Sequence, residues 1–277
     1  MFKAGLIGDP VDHSLSPYMH NAAFEALKID AHYALWGASL ADLPARIETL
    51  REDAILGANV TVPHKQVVMP LVDELSDTAR RIGAVNTIIP RDGRLLGDNT
   101  DAFGFARSLR ETCDGRAPGK AVVVGAGGAS RAVLVSLQEI GVAEIVLVNR
   151  TLAKAESLAG DLADGEHAIR VVAWDDLADT AASTDVLVNA TSIGWHGDEL
   201  PFDATVIEAL PDAAVVMDLT YRKTALLHQA KARGLREVDG LPMLIYQGAR
   251  AFSLWTGQVA PVEVMTEAVL VEQARRA

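Results

Sequence analysis

Several stretches of this 277-residue chain have residue types and spacing that suit chemistry. Asn59-Val60-Thr61-Val62-Pro63-His64-Lys65 places an ammonium just past a strand that ends at a proline. Gly97-Asp98-Asn99-Thr100-Asp101 presents two carboxylates among small polar residues. Reducing a ketone takes a proton donor near the developing alkoxide, or a cation to stabilise it. A Lys–Asp pair meets that need, with the carboxylate orienting the ammonium. By spacing alone, a lone Lys after a strand is more often a solvated surface group, and Asp-Asn-Thr-Asp reads equally well as an ordinary turn. Nearer the start, Asp12-His13-Ser14-Leu15-Ser16-Pro17 offers two hydroxyls two residues apart. Ser16 before Pro17 makes a good helix N-cap, which leaves Ser14 to explain. His13, His20 and His64 show no metal-ligand spacing, so no metal site is expected.

Gly125-Ala126-Gly127-Gly128-Ala129-Ser130 follows an apolar strand and opens a helix. In a G-x-G-x-x-S loop the first Gly permits a tight turn and the second lets the backbone approach a pyrophosphate. The small third residue lets helix and strand pack closely. Phosphate would sit on the helix N-terminus, where free amides and the dipole favour anions. An NAD enzyme commonly ends the next strand with an acid that holds the ribose 2′-hydroxyl. Here Val146-Leu147-Val148-Asn149-Arg150-Thr151, with Lys154 beyond, offers donors and cations instead. These suit a 2′-phosphate, so NADP is expected over NAD. Cations in a helix's first turn work against its dipole, which again points to an anionic partner.

The elements that must position these groups read as two α/β regions. Strands are expected at Ala4–Ile7, His32–Trp36, Ala58–Thr61, Ala84–Ile89 and Leu95–Gly97. Helices are expected at Pro17–Leu27, Leu43–Asp53 and Val68–Leu75. After the loop Asp114–Gly119 come fully apolar strands of the kind buried on both faces of a parallel sheet. They fall at Ala121–Val124, Glu144–Val148, Ile169–Ala173, Asp185–Asn189 and Ala214–Asp218. Helices at Arg131–Ile140, Ala153–Leu162 and Ala225–Ala232 separate them, and the alternation reads as a doubly wound sheet. Two helices, Pro242–Thr256 and Val262–Ala277, close the chain. The first carries Phe252, Leu254 and Trp255 and is expected to pack back on the first region.

Apolar residues make up 49% and charged residues 22%, ordinary for a globular protein. No apolar run reaches the roughly 18 to 20 residues of a membrane span. The start of the chain lacks a signal peptide's apolar region, and Cys113 is the one cysteine. A cytoplasmic location without membrane partners is expected. The net charge of −12, from 37 acidic against 25 basic residues, argues against a nucleic-acid partner.

Taken in order, these motifs resemble the shikimate dehydrogenase family from Gly8 to about Gly257. Gly83-Ala84-Val85-Asn86-Thr87, Asn189-Ala190-Thr191-Ser192 and Asp239-Gly240-Leu241-Pro242-Met243-Leu244 with Gln247 add to those above. The resemblance implies two domains. One is an α/β substrate domain, residues 1–101, completed by C-terminal helices at 241–277. The other is a Rossmann-type doubly wound NADP-binding domain at 102–240, with the substrate held in the cleft between them. It implies reversible NADPH-dependent reduction of 3-dehydroshikimate to shikimate, on the route to chorismate and aromatic amino acids, in a monomer or homodimer.

By resemblance, Ser14, Ser16 and Tyr221 hold the substrate carboxylate. Thr61, Lys65, Asn86, Asp101 and Gln247 hold the ring hydroxyls and the reacting oxygen, with Lys65 and Asp101 the catalytic pair. Gly125, Ala126, Gly127, Gly128, Ala129, Ser130, Asn149, Arg150, Thr151 and Lys154 line NADP. Thr191, Leu219 and Gly240 lie near its nicotinamide. The chain departs from the family pattern at Ala102, where Gly is usual and where a left-handed turn would be strained. It also lacks a Pro after Tyr221. The rivals are a quinate/shikimate dehydrogenase, against which Ser16 and the acid-free Leu152-Ala153 lean, and a non-catalytic ligand sensor. A sensor could lose the Lys–Asp pair that this chain keeps.

Overall fold

A computed structural model of the chain describes residues 1–163 and 167–276. In chain order the elements begin β1 (Phe2–Gly8), α1 (Ser16–Ala26), β2 (Ala31–Gly37), α2 (Leu43–Glu48) and β3 (Ile55–Val60). Then come β4 (Glu74–Leu75), α3 (Asp77–Ile82), β5 (Thr87–Arg91), β6 (Arg94–Asp98) and α4 (Asp101–Thr112). The middle of the chain forms β7 (Lys120–Val124), α5 (Gly128–Ile140), β8 (Glu144–Val148), α6 (Leu152–Asp161) and β9 (Ile169–Val172). It continues through α7 (Leu177–Ala181), β10 (Val186–Asn189), α8 (Thr205–Ala209), β11 (Val215–Asp218), α9 (Ala225–Ala232) and β12 (Arg236–Val238). The helices α10 (Leu241–Thr256) and α11 (Val262–Arg276) come last, Ala277 lying outside the described residues.

The chain divides into two compact units, Met1–Gly104 with Ile245–Ala277, and Phe105–Leu244. The first contains a mixed sheet in the order β2-β1-β3-β5-β6-β4. Its β1, β2 and β3 run parallel, and β5 is antiparallel to both β3 and β6. Small residues in these strands make room for aromatic side chains. A Cβ at Gly57 would lie 2.1 Å from the Trp255 indole nitrogen, which donates to the Ile88 carbonyl at 3.1 Å. In this way α10 packs back on the first sheet as its aromatic residues predict.

The second unit holds a sheet in the order β12-β11-β10-β7-β8-β9, parallel throughout. The chain enters at the central β7, builds outward to β9, then crosses back to build β10, β11 and β12 on the other side. That is the doubly wound order, and β7 and β10 flank its switch point. Ala121, Val122, Val123 and Val124 are wholly buried, as strands covered on both faces require.

Several readings differ from the structure in local detail. Val68–Leu75 is not a helix: a short 3-10 turn at Met69–Leu71 leads into β4, because Pro70 breaks the helical hydrogen bonding and β4 pairs with β6. The Asp98–Asp101 stretch is not an isolated turn, since α4 starts at Asp101 itself. Ala102 therefore sits buried in a helical first turn and is not among the residues with positive φ, so no strain arises there. α5 begins at Gly128, three residues earlier than the expected start at Arg131. Among the described residues, no helix is long and apolar enough to cross a membrane.

Candidate active site

On the first unit, β3 runs out into the Thr61–Lys65 turn, and two anchors fix that turn. The buried His64 ring lies 2.7 Å from the Ala38 carbonyl through Nε2. A carbonyl only accepts, so Nε2 carries the proton. The backbone carbonyl of Lys65 accepts from Val85 N–H at 2.7 Å. Thr61, half-buried, receives His64 N–H at its carbonyl. A Cβ on Gly8 would stand 2.4 Å from the Thr61 methyl, so glycine is needed beside it.

Lys65 Nζ lies 2.7 Å from Asp101 Oδ2, and the two side chains are 17% and 10% exposed. The other Asp101 oxygen accepts from Asn86 Nδ2 at 2.8 Å, and the same amide lies 3.3 Å from Gln247 Oε1. Lys65, Asp101, Asn86 and Gln247 thus converge, each supplied by a different segment. Asp98, the second acid of its motif, is consumed elsewhere. It accepts from the Ser76 hydroxyl, which caps α3, and from Asn99 N–H. Asn99 in turn accepts from Asp101 N–H at 3.0 Å and donates to the Ala84 carbonyl, fixing where α4 starts.

Ser14 and Ser16 are both buried at the start of α1. The capping expectation is corrected: Ser16 is the first helical residue and makes no side-chain cap, while Ser14 Oγ accepts Ser16 N–H at 3.2 Å. The second hydroxyl is thereby left for other partners. Tyr221 belongs to the other unit, where Trp195 meets its ring edge-on at 4.7 Å.

On the second unit, the Gly125–Ser130 loop leaves β7 at the switch point. Gly125 has φ of 112°, and a Cβ there would sit about 3.0 Å from Thr191 and Ala190. Glycine is therefore required twice over, for conformation and for space. Gly127 and Gly128 have nothing within 4 Å of a Cβ position, so their backbone faces open space. Ser130 is buried and accepts Gly127 N–H at 3.2 Å, bracing the loop against α5. Ala126 and Ala129 lie in the same loop and first helical turn.

Past β8, Asn149 Nδ2 donates to the Thr151 carbonyl at 2.9 Å, and Thr151 is the N-cap residue of α6. Arg150 and Lys154 are exposed and carry no acidic partner among the described residues. Arg131, in the first turn of α5, pairs with Asp161. At the ends of β10 and β11, the Thr191 hydroxyl donates to Asn189 Oδ1 at 2.7 Å, and Leu219 N–H donates to the Asn189 carbonyl. A Cβ on Gly240 would fall 2.1 Å from the Leu219 carbonyl oxygen, so these two backbones touch.

The glycine cradle, the open space beside Gly127 and Gly128 and the exposed cations Arg150 and Lys154 fit a phosphorylated dinucleotide. Among the described residues, no three His, Cys, Asp or Glu side chains gather as a cation site. A parallel sheet wound both ways from its centre, with such a loop at its switch point, defines a dinucleotide-binding α/β protein. A part-buried Lys–Asp pair in the other unit has the composition that acid–base chemistry needs.

Family profiles narrow this class. The profile described as the shikimate dehydrogenase substrate binding domain matches residues 6–88, and that of shikimate / quinate 5-dehydrogenase matches 109–195. The shikimate 5'-dehydrogenase C-terminal domain matches residues 240–270. The shikimate dehydrogenase (NADP(+)) of Symbiobacterium thermophilum is 43% identical over 272 residues, spanning 96% of this chain and 92% of its own. A crystal structure of shikimate dehydrogenase in complex with NADP+ superposes with a TM-score of 0.91 at 38% identity, covering 98% of this chain and 96% of that one. The Thermus thermophilus shikimate 5-dehydrogenase, solved with NADP(H) and shikimate, has a TM-score of 0.87 at 40% identity, covering 98% and 99%. The chain belongs to the shikimate dehydrogenase family.

Sequence reasoning missed the residues that hold the named ones in place: His64 as an anchor, Asn99, Thr100, Thr87, Asn59 and Tyr33. The one available signal was Asn, a poor strand former, at position 59 inside an apolar strand.

Proposed function

We propose that the protein catalyses the reversible NADPH-dependent reduction of 3-dehydroshikimate to shikimate. The observation that carries this reading is the Lys65–Asp101 pair at 2.7 Å, with Asn86 holding the second carboxylate oxygen. Lys65 is the donor that meets the substrate carbonyl oxygen, stabilises the growing negative charge and passes it a proton. Asp101 keeps the ammonium aimed. Asn86, Gln247 and Thr61 hold the ring hydroxyls, while Ser14, Ser16 and Tyr221 take the carboxylate through neutral donors. Neutral donors suit a chain whose net charge is −12.

NADPH, when bound, supplies the hydride. Gly125 to Ser130 hold its pyrophosphate, and Asn149, Arg150, Thr151 and Lys154 its 2′-phosphate end. Thr191, Leu219 and Gly240 border the nicotinamide. The domain roles follow: residues 1–101 with 241–277 for substrate, and 102–240 for cofactor.

A spectrophotometric assay comparing shikimate with quinate, each with NADP and with NAD, tests the proposal. Strong turnover with shikimate and NADP alone supports it. Comparable quinate turnover, or a preference for NAD, moves the protein to the quinate branch. Shikimate binding without turnover would make it a sensor.

A further inference from the structure

Behind the reacting groups lies a set of buried polar side chains that the reaction itself does not use. Asn59 on β3 and Thr87 on β5 are directly paired across antiparallel strands, so their side chains share one face of the sheet. Tyr33, on β2, reaches over to the same place: its hydroxyl donates to Asn59 Oδ1 at 2.9 Å. With that oxygen accepting, the Asn59 amide nitrogen must donate, and it lies 3.3 Å from Thr87 Oγ1. Thr87 Oγ1 has one proton to give, and its shortest contact is Asn86 Oδ1 at 2.8 Å. Thr100 N–H donates to the same Asn86 oxygen at 2.8 Å. Asn86 is thereby compelled to turn its nitrogen the other way, toward Asp101 Oδ1 and Gln247. Tyr33, Asn59, Thr87, Asn86 and Thr100 are all 4% exposed or less, so water does not compete for these bonds.

We propose that Tyr33, Asn59 and Thr87 are positioning residues forming a one-way hydrogen-bond relay. The relay locks the Asn86 amide toward Asp101. It rests on the functional reading above. Every donor points toward the Asp101 carboxylate, and chains of this kind polarise one another. An amide flip at Asn86 would set its oxygen against the carboxylate and against Gln247 Oε1. The oxygen-side donors, Thr87 Oγ1 and Thr100 N–H, and the nitrogen-side acceptors hold the amide against that flip together.

The test uses the full chain with Thr87→Val, Thr87→Ser and Tyr33→Phe, each checked for an unchanged melting profile. Thr87→Val and Tyr33→Phe should lower kcat about tenfold, the scale of one buried hydrogen bond, with the KM for NADP unmoved. Thr87→Ser, which restores the hydroxyl, should stay within about threefold of the parent. In a cycle with Asn86→Ala, the Thr87→Val loss should vanish, because its effect acts through that amide. Full kcat in Thr87→Val, equal damage from Thr87→Ser, or additive losses with Asn86→Ala would each overturn the relay. If Thr87→Val fails to fold, Tyr33→Phe, which deletes a single oxygen, decides alone. Calorimetric titration with shikimate separates the two claims. Parental binding without turnover defeats the reductase reading, and the relay then stands or falls on the same ratios measured in shikimate Kd. No shikimate binding in the parent defeats both.

Discussion

Lys65 shares Asp101 with Asn86, so removing the ammonium leaves the carboxylate still held by one amide donor. Lys65→Ala should therefore fold normally and fail chemically. Turnover should fall by about 10²- to 10⁴-fold, the usual contribution of a placed proton donor. NADP affinity should stay within error, because the dinucleotide loop belongs to the other unit. Steady-state kinetics beside a cofactor titration checks this, and an equal loss of NADP binding would make Lys65 a structural residue. Arg150 makes the complementary case. Its guanidinium is exposed and has no acid to neutralise it among the described residues, so its charge is available to a 2′-phosphate. Arg150→Ala should weaken NADP about tenfold or more and leave NAD nearly unchanged, since a charge-assisted pair is lost from one and not the other. A uniform loss in parallel titrations of the two cofactors would remove 2′-phosphate recognition from this residue.

At the scale of elements, α10 is held to the first sheet where Trp255 lies against Gly57. Gly57→Ala puts a methyl group where the indole nitrogen stands, and the ring has to leave its bond to Ile88. A loss of about 1–3 kcal/mol is expected, seen as a thermal midpoint lower by several degrees. A calorimetric scan matching the parent would mean the strand yields without cost. Elements along the chain were unevenly legible from sequence. The apolar strands β7, β8 and β10 announce themselves because burial on both faces leaves no room for polar residues. α4 did not, since Asn99 and Thr100 look like turn formers, and only the Asn99 bond to Asp101 N–H shows that they start a helix. β4 and β12 are too short to show a period and form through pairing with β6 and β11. The site was legible to the same degree. Lys65, Asp101 and the glycine loop sit in motifs, whereas Tyr33 and Thr87 are ordinary strand formers whose hydroxyls acquire a task only through the fold.

Across the whole molecule, one buried side chain links folding to pH. His20, on α1, is fully buried and stacks on Tyr33 with ring centroids 4.3 Å apart and planes 7° from parallel. Phe252 and Trp255 close the box, and among the described residues neither His20 nitrogen has a hydrogen-bond partner. Burial pushes its pKa down from 6.5 to about 3. Tyr33, the titratable ring stacked on it, is pushed upward by the same burial and stays neutral. The unfolded chain therefore takes up a proton near pH 6.5 that the folded chain refuses until about pH 3. The contribution of neutral His20 to stability is whole above pH 6.5 and drains away as the pH falls, by up to about 1.4 kcal/mol per pH unit. His20→Phe keeps a flat ring on Tyr33 and removes the titration. Its absolute stability depends on how the box accepts a larger ring, but the pH slope does not. Urea unfolding of both proteins at intervals from pH 8 to about pH 4 should give a free-energy difference that is constant above 6.5 and shifts steadily in favour of the variant below it. Parallel curves throughout would mean that the folded chain admits a proton to His20 as readily as water does.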